Sequence, residues 1–296
     1  MGLNRPCTPA MFTVRNPELC MHLMLGTLRL LTLPSGHISV TINQTNPILQ
    51  ITNLSKAYGA FDALKSLNLS VIPGEVYALL GPNGAGKTTA IKLLMGMLVP
   101  SSGQANIGGY DCFTQRKEVM TLVGYQPDEP TFQDHLTGWD LIRFSGDLRG
   151  MRPQDTVDLA TPLAERLDLY KDLNEYATNY SKGMRKKLAA ILAMLHSPKI
   201  LLLDEPTNGL DPYATRDFHE LIQEYAQAGT AVFLSTHLLD QAQRCCSRVG
   251  IINKGVLAAE GDLESLRSHA NQNLEEIFFS VTSDPHPHQE DSQSEE

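Results

Sequence analysis

The residues Gly81-Pro82-Asn83-Gly84-Ala85-Gly86-Lys87-Thr88 fit the spacing G-x-x-x-x-G-K-[ST] at every fixed position. No other segment restricts the fold so sharply, because a loop of this kind needs a strand before it and a helix after it. Glu75–Leu80 is a short apolar strand that runs into the loop, and Thr88–Leu98 sets Ile91, Leu94, Met95 and Leu98 at helical spacing. Glycines let the backbone curl until successive N–H groups face one anion. The helix behind presents its positive N-terminal end to the same anion. Lys87 adds a full charge for the β- and γ-phosphates, and the Thr88 hydroxyl is suited to Mg²⁺. The loop implies a site for ATP with Mg²⁺, and ATP hydrolysis.

Composition narrows what such a site can serve. The chain has 296 residues, 42% of them hydrophobic, enough for one large α/β core with extra material at its ends. Its formal net charge is −9, whereas coating nucleic acid needs clustered Lys and Arg to neutralise phosphates, so no nucleic-acid partner is expected. The five cysteines, Cys7, Cys20, Cys112, Cys245 and Cys246, hold no C-x-x-C pair and read as reduced thiols of a cytosolic protein. The apolar run Cys20–Leu33 is shorter than the ~20 residues a bilayer needs and is broken by Arg29, so a membrane role falls to a partner.

Residues 1–47 show no steady period and read as a flexible extension. From Ile48 the pattern is legible: strands at Ile48–Leu54 and Ser66–Ile72, then a mostly helical stretch over 131–196 that includes Pro162–Leu169 and Lys182–Leu195. Ile200–Leu203 reads as a buried parallel strand. A helix at Tyr213–Ala228, a strand at Ala231–Ser235, a helix at Leu238–Cys246 and a hairpin over Val249–Glu260 follow. Residues 271–282 close the fold, and the acidic tail 283–296 reads as disordered. Alternating strands and helices imply an α/β fold with a mostly parallel sheet covered on both faces.

Leu201-Leu202-Leu203-Asp204-Glu205 is an apolar strand that ends in two carboxylates, each costly to desolvate. Asp204 is suited to hold Mg²⁺ through water, and Glu205 to polarise an attacking water. The alternative is plain helix capping, since acids often follow a strand in such units.

At this point the sequence resembles the ATP-binding cassette family, the nucleotide-binding subunits of ABC transporters, from Leu49 to Thr282. Gly81–Thr89 matches its Walker A motif and Leu201–Glu205 its Walker B motif. Tyr180-Ser181-Lys182-Gly183-Met184 stands where the family signature belongs, Asn208–Pro212 resembles the D-loop, and Ser235-Thr236-His237 the switch region. Ala57-Tyr58-Gly59 resembles the A-loop. The resemblance implies a P-loop NTPase with a RecA-like core over residues 48–270, an antiparallel β subdomain and an inserted helical subdomain over about 131–196. It implies that Tyr58 stacks on adenine, that Gly81, Pro82, Asn83, Gly84, Ala85, Gly86, Lys87, Thr88 and Thr89 hold the phosphates, and that Thr88 and Asp204 hold Mg²⁺. It also implies that Glu205 and His237 act in hydrolysis, and that a second copy of the chain supplies Ser181 and Gly183 to the γ-phosphate while Asp211 bridges the two.

Two motifs leave the family pattern. The signature has Lys182 for a glycine and Met184 for a glutamine, and the basic cluster Lys182, Arg185, Lys186 and Lys187 reads as a solvated helix face. In Val123-Gly124-Tyr125-Gln126-Pro127-Asp128, Asp128 stands where the family has its Q-loop glutamine, while Gln126 lies two residues off. Asp128 is expected to reach Mg²⁺ or the water through its carboxylate. Within the family the sequence resembles ATPase subunits of two-component exporters. There a separate transmembrane permease holds the ATPase at the cytoplasmic face of the membrane. The other class weighed is a soluble ABC ATPase. Against it stand the single cassette and the lack of a long heptad insertion or a cysteine-rich zinc module.

Overall fold

The structure, a computed structural model, describes residues 30–32, 38–40, 46–263 and 274–282. The chain divides into two units, Met1–Asn46 and Pro47–Glu296. In the first, β1 (Leu30–Thr32) pairs antiparallel with β2 (Ile38–Val40), a ladder that the irregular sequence period does not announce. Most of the run Cys20–Leu33 and all of the tail 283–296 lie outside the described residues, as do Cys7 and Cys20.

The second unit begins with β3 (Leu49–Tyr58), β4 (Phe61–Val71), β5 (Val76–Leu80), α1 (Lys87–Leu94), β6 (Ser102–Ile107), β7 (Tyr110–Asp111), α2 (Arg116–Leu122) and β8 (Val123–Gln126). The helices α3 (Gly138–Leu148), α4 (Pro153–Arg166) and α5 (Lys182–Met194) follow. Then come β9 (Ile200–Asp204), α6 (Pro212–Gln227), β10 (Ala231–Thr236), α7 (Leu239–Cys245), β11 (Arg248–Asn253), β12 (Val256–Asp262) and α8 (Leu274–Thr282). Six strands form one sheet in the order β12-β11-β5-β10-β9-β8, parallel throughout except for β12. An antiparallel sheet of order β4-β3-β6-β7 packs against it.

Side-chain alternation explains why β5 and β9 are apolar end to end. Val76, Ala78, Leu80, Leu201, Leu203, Val232 and Leu234 point into a core shared with Ile142, Leu163, Ile191, Phe218 and Ala242 of α3 to α7. Tyr77, Leu79, Ile200, Leu202 and Phe233 point into a second core with Ile91, Leu94 and Val119 of α1 and α2 and with Leu49, Leu67 and Ile107 of the antiparallel sheet. A parallel sheet covered on both faces has no solvent side, so alternation of polarity disappears. The register then brings the strand ends together: Leu80 lies beside Thr236, Ser235 beside Asp204, and Leu203 beside Gln126. This is the carboxyl edge at which open α/β sheets hold ligands.

Some elements differ from their sequence reading. Helix α1 stops at Leu94 rather than Leu98, because Gly96 takes φ 60° and turns the chain out of the helix. The strands β3 and β4 are longer than expected and run to and from the turn after Tyr58. Pro162 does not start a helix: Pro153 does, at a position where its missing N–H costs nothing, and Pro162 lies inside α4. The basic cluster is not wholly a solvated face, since Lys186 is fully buried. Cys112, Cys245 and Cys246 are free thiols. No described helix is long and apolar enough to cross a membrane.

Close packing of α5 on β8 generates a first prediction. A Cβ on Gly124 would lie 2.0 Å from the Ala193 carbonyl oxygen, which belongs to the helix backbone and has no room to yield. Gly124→Ala is expected to cost about 1–3 kcal/mol, read as a lower urea midpoint. A second prediction concerns His196. Its Nε2 donates to the Val123 carbonyl at 3.1 Å, while its buried Nδ1 has no partner among the described residues. Burial, with the nearby Arg149 charge, holds its pKa down to about 4. The unfolded chain, with an ordinary histidine near ~6.5, takes up this proton first, so stability falls as the pH drops from that value towards 4. His196→Asn is expected to flatten that part of the stability profile, measured by denaturation between neutral and mildly acid pH.

Candidate functional site

The loop after β5 is built around two tight approaches. A Cβ at Gly81 would sit 2.3 Å from the Ile252 carbonyl oxygen, and one at Gly86 would sit 2.5 Å from the Ala63 carbonyl oxygen, where φ is also 111°. Neither position accepts another residue without moving backbone. Gly86 is the N-cap of α1, no side chain caps that helix, and its first turn holds no acid. The first-turn N–H groups of an α-helix have no partner within the helix. Lys87, almost fully buried, donates to the Gly81 carbonyl at 2.8 Å and the Pro82 carbonyl at 3.2 Å. Glycine-curled backbone, an uncapped helix terminus and a folded-back ammonium suit a phosphate chain. Thr89 follows in the first turn of α1.

Beside the loop stand the two acids of β9. Thr88 donates its hydroxyl to Asp204 Oδ1 at 3.3 Å, and Ser235 donates to the same oxygen. Burial pushes the Asp204 carboxyl above its usual range, opposed by these hydrogen bonds and reinforced by the charges of Asp128 and Glu205. A hydroxyl and a carboxylate this close fit Mg²⁺, which binds few protein oxygens and takes the rest from phosphates and water. Glu205 is buried and left-handed at φ 45°. Non-glycine residues hold that conformation only where their surroundings over-determine it. Here the Glu205 N–H donates to the Ser235 carbonyl at 3.1 Å and lies 3.3 Å from its hydroxyl. The carboxylate sets Oε1 3.4 Å from Lys87 Nζ and Oε2 2.9 Å from His237 Nδ1.

Asp128 is brought to this edge too, close enough to raise the carboxyl of Asp204. Its own partner is Lys186, whose ammonium lies 3.0 Å from Asp128 Oδ1 and also donates to the Glu205 carbonyl. Gln126 is fully buried and turned to the backbone, donating to the carbonyls of Lys186 at 3.4 Å and Pro206 at 3.3 Å. Neither the lysine nor the Ser235 hydroxyl was assigned a role from sequence. The signal for the latter was its place in Ser235-Thr236-His237, the stretch that resembles the switch region.

Ser181 and Gly183 lie elsewhere. Ser181 caps α5, accepting from the Met184 N–H at 3.2 Å, and Gly183 packs toward Gly209 and Leu210. Asp211 caps α6, accepting from the N–H groups of Tyr213 and Ala214 at 2.9 Å, which holds its carboxyl below the usual range. Signature and D-loop therefore share one surface, and both Ser181 and Asp211 are exposed. Among the described residues no hydrogen bond joins Ser181 to the phosphate loop. Tyr58 is exposed at the end of β3, with Lys56 Nζ 5.1 Å from its ring centre.

The chain is similar to known proteins. The model of the ABC transporter family matches residues 64–208. The chain is 40% identical over 219 residues to the ABC transporter ATP-binding protein YdbJ of Bacillus subtilis (strain 168), across 74% of this chain and 70% of that one. This chain belongs to the ABC transporter family. It is 34% identical over 229 residues to the bacitracin transport ATP-binding protein BcrA of Bacillus licheniformis, across 77% of this chain and 74% of that one. A solved ATP-binding subunit of an ABC transporter superposes with a TM-score of 0.75 at 30% identity, over 80% of this chain and all of the other. The protein is accordingly an ATP-binding ATPase with the P-loop NTPase fold.

For this ABC ATPase the Ser235 hydroxyl is a structural support with a chemical readout. Its hydrogen bond works against the burial that raises the Asp204 carboxyl. Ser235→Ala removes that support. The acid limb of the ATPase rate is expected to move to higher pH, measured as the turnover profile of variant and parent.

Proposed function

We propose that this ABC ATPase is the motor subunit of an exporter and works as a pair of copies beneath a separate membrane-spanning chain. The observation that carries the reading is the Glu205 carboxylate, held between Lys87 and His237 beside the Thr88–Asp204 pair. In this reading Thr88 and Asp204 hold Mg²⁺, which neutralises charge on the phosphates when bound. The phosphate loop from Gly81 to Thr89 grips the triphosphate, and Tyr58 offers its ring to adenine. Glu205 orients and polarises the attacking water. His237 keeps the carboxylate aimed.

The exposed signature and D-loop surface supports a composite site. Ser181 and Gly183 stand at the start of α5, a helix of 13 residues with no acid in its first turn, which suits an anion offered by a second copy. Asp211, on the same surface, borders that contact. The catalytic domain spans residues 48–270, and residues 271–282 close it, as the burial of Leu274 in the main core supports. The helical subdomain over about 131–196 is the docking face for the permease. Exposed Phe144, Leu148, Tyr170 and Tyr176 there fit an apolar partner surface. An export role extends to this chain what the name of the Bacillus licheniformis relative says of that protein, transport of bacitracin. Its place is then the cytoplasmic face of the membrane, held there by its partner.

Glu205→Gln tests the chemistry. Turnover is expected to fall by ~10²–10⁴-fold, the usual worth of a general base, with ATP binding retained. Size-exclusion chromatography with ATP is expected to show a trapped dimer. Near-parental turnover would remove Glu205 from the role. Affinity purification from detergent-solubilised membranes tests the coupling: recovery of a polytopic membrane protein is expected, and recovery of the chain alone from the soluble fraction would sink the exporter reading.

A further inference from the structure

Lys186 is the most constrained charge outside the groups already given a role. It is 0% exposed, although it sits in a run of basic residues on α5. Burying an ammonium is costly unless it is paired and hydrogen-bonded. Burial indeed pulls the lysine's pKa down, and Asp128 works against that shift. Its partners come from two further elements. Asp128, just beyond β8, supplies the counter-charge at 3.0 Å. The main-chain carbonyl of Glu205, just beyond β9, accepts a second hydrogen bond. Gln126 ties the same pieces together by donating to the carbonyls of Lys186 and Pro206.

The geometry points to Lys186 as a positioning residue for hydrolysis, acting by gripping the carbonyl of Glu205, with Asp128 serving as its counter-charge. The inference rests on the reading of Glu205 as the group that polarises water. Glu205 sits at φ 45°, a conformation that an L-residue leaves unless held. Its N–H is held by Ser235 and its carbonyl by Lys186, so the peptides on both sides of the residue are pinned. With both pinned, the side chain emerges toward Lys87 and His237. Releasing the carbonyl frees that backbone to relax and swings the carboxylate off its line. Lys186 itself bonds only Asp128 and the Glu205 carbonyl and no residue of the phosphate loop, so ATP affinity is expected to change little. Asp128, expected from the sequence to reach Mg²⁺ or the water, sets its Oδ1 3.0 Å from the lysine ammonium. The pair also joins α5, which starts at the signature residues, to the strand end that carries the acids.

The test uses the purified full-length chain, with ATP affinity and single-turnover hydrolysis measured separately. Lys186→Met keeps the length and apolar stem of the side chain and removes the charge. We expect its hydrolysis rate to fall at least ~10-fold while ATP affinity stays within ~3-fold. Asp128→Asn is expected to show the same split, and the side chain's 37% exposure makes that variant tolerable to the fold. The double variant is expected to be no slower than Lys186→Met alone, because the two residues act as one unit. Asp128→Glu, which keeps the counter-charge, is expected to recover most of the rate. Parental turnover in Lys186→Met overturns the inference, as does a multiplicative loss in the double variant, which would give Asp128 its own work at the phosphates. If Lys186→Met fails to fold, parental turnover in Asp128→Asn overturns it instead. Failure of the underlying reading looks different: Glu205→Gln would then turn over like the parent, whatever the Lys186 variants do.

Discussion

Two lysines hold Glu205 in different ways. Lys87 meets its carboxylate and Lys186 its main-chain carbonyl. Both ammonium groups are buried, and both need that contact as much as the glutamate does. Around them Asp204, Asp128, Ser235, Thr88 and His237 complete a cluster in which each charge has an opposite charge or a hydrogen bond. Such a network is worth having only if it is fully satisfied, because a buried charge that loses its partner costs more than the pair gained.

The sheet is what makes the cluster possible. Its six strands run in an order in which β5, β9 and β10 are neighbours although long stretches of chain separate them. Parallel register then delivers Leu80, Asp204 and Thr236 to one edge, and the loops that leave those residues carry Gly81–Thr88, Glu205 and His237. Helices on both faces keep that edge rigid from behind, with the interlocked contact of Gly124 on α5 as the tightest case. Helix α5 also spans two parts of this region. It begins at exposed Ser181, where a second copy is proposed to meet the nucleotide, and one turn later it reaches into the cluster with Lys186.

Much of this was legible in the chain itself. The spacing of Gly81, Gly86, Lys87 and Thr88 needs no neighbours to be recognised, because backbone curl and a single lysine are local properties. The same holds for the apolar run that ends in Asp204 and Glu205. Helix ends were read less well. Pro162 suggested a helix start, yet an internal proline is tolerated once packing of Leu163 and Ala164 pays for the missing hydrogen bond. The basic run on α5 suggested solvent, and one of its members proved to be buried.

By itself, then, the sequence determined the phosphate loop, the acidic strand end, the alternation of strands and helices and the family, all of which depend on residues close together in the chain or on their order. Only the tertiary structure decided what Asp128, Lys186, Gln126 and Ser235 do. Their partners lie 58 residues away for Lys186 and Asp128 and 31 away for Ser235 and Asp204. Such pairings are set by strand register and by the packing of α5, and a charge at a given position looks the same in one dimension whether it faces water or another charge. The phosphate loop could be read before it was seen; the hold on Glu205 beside it could not.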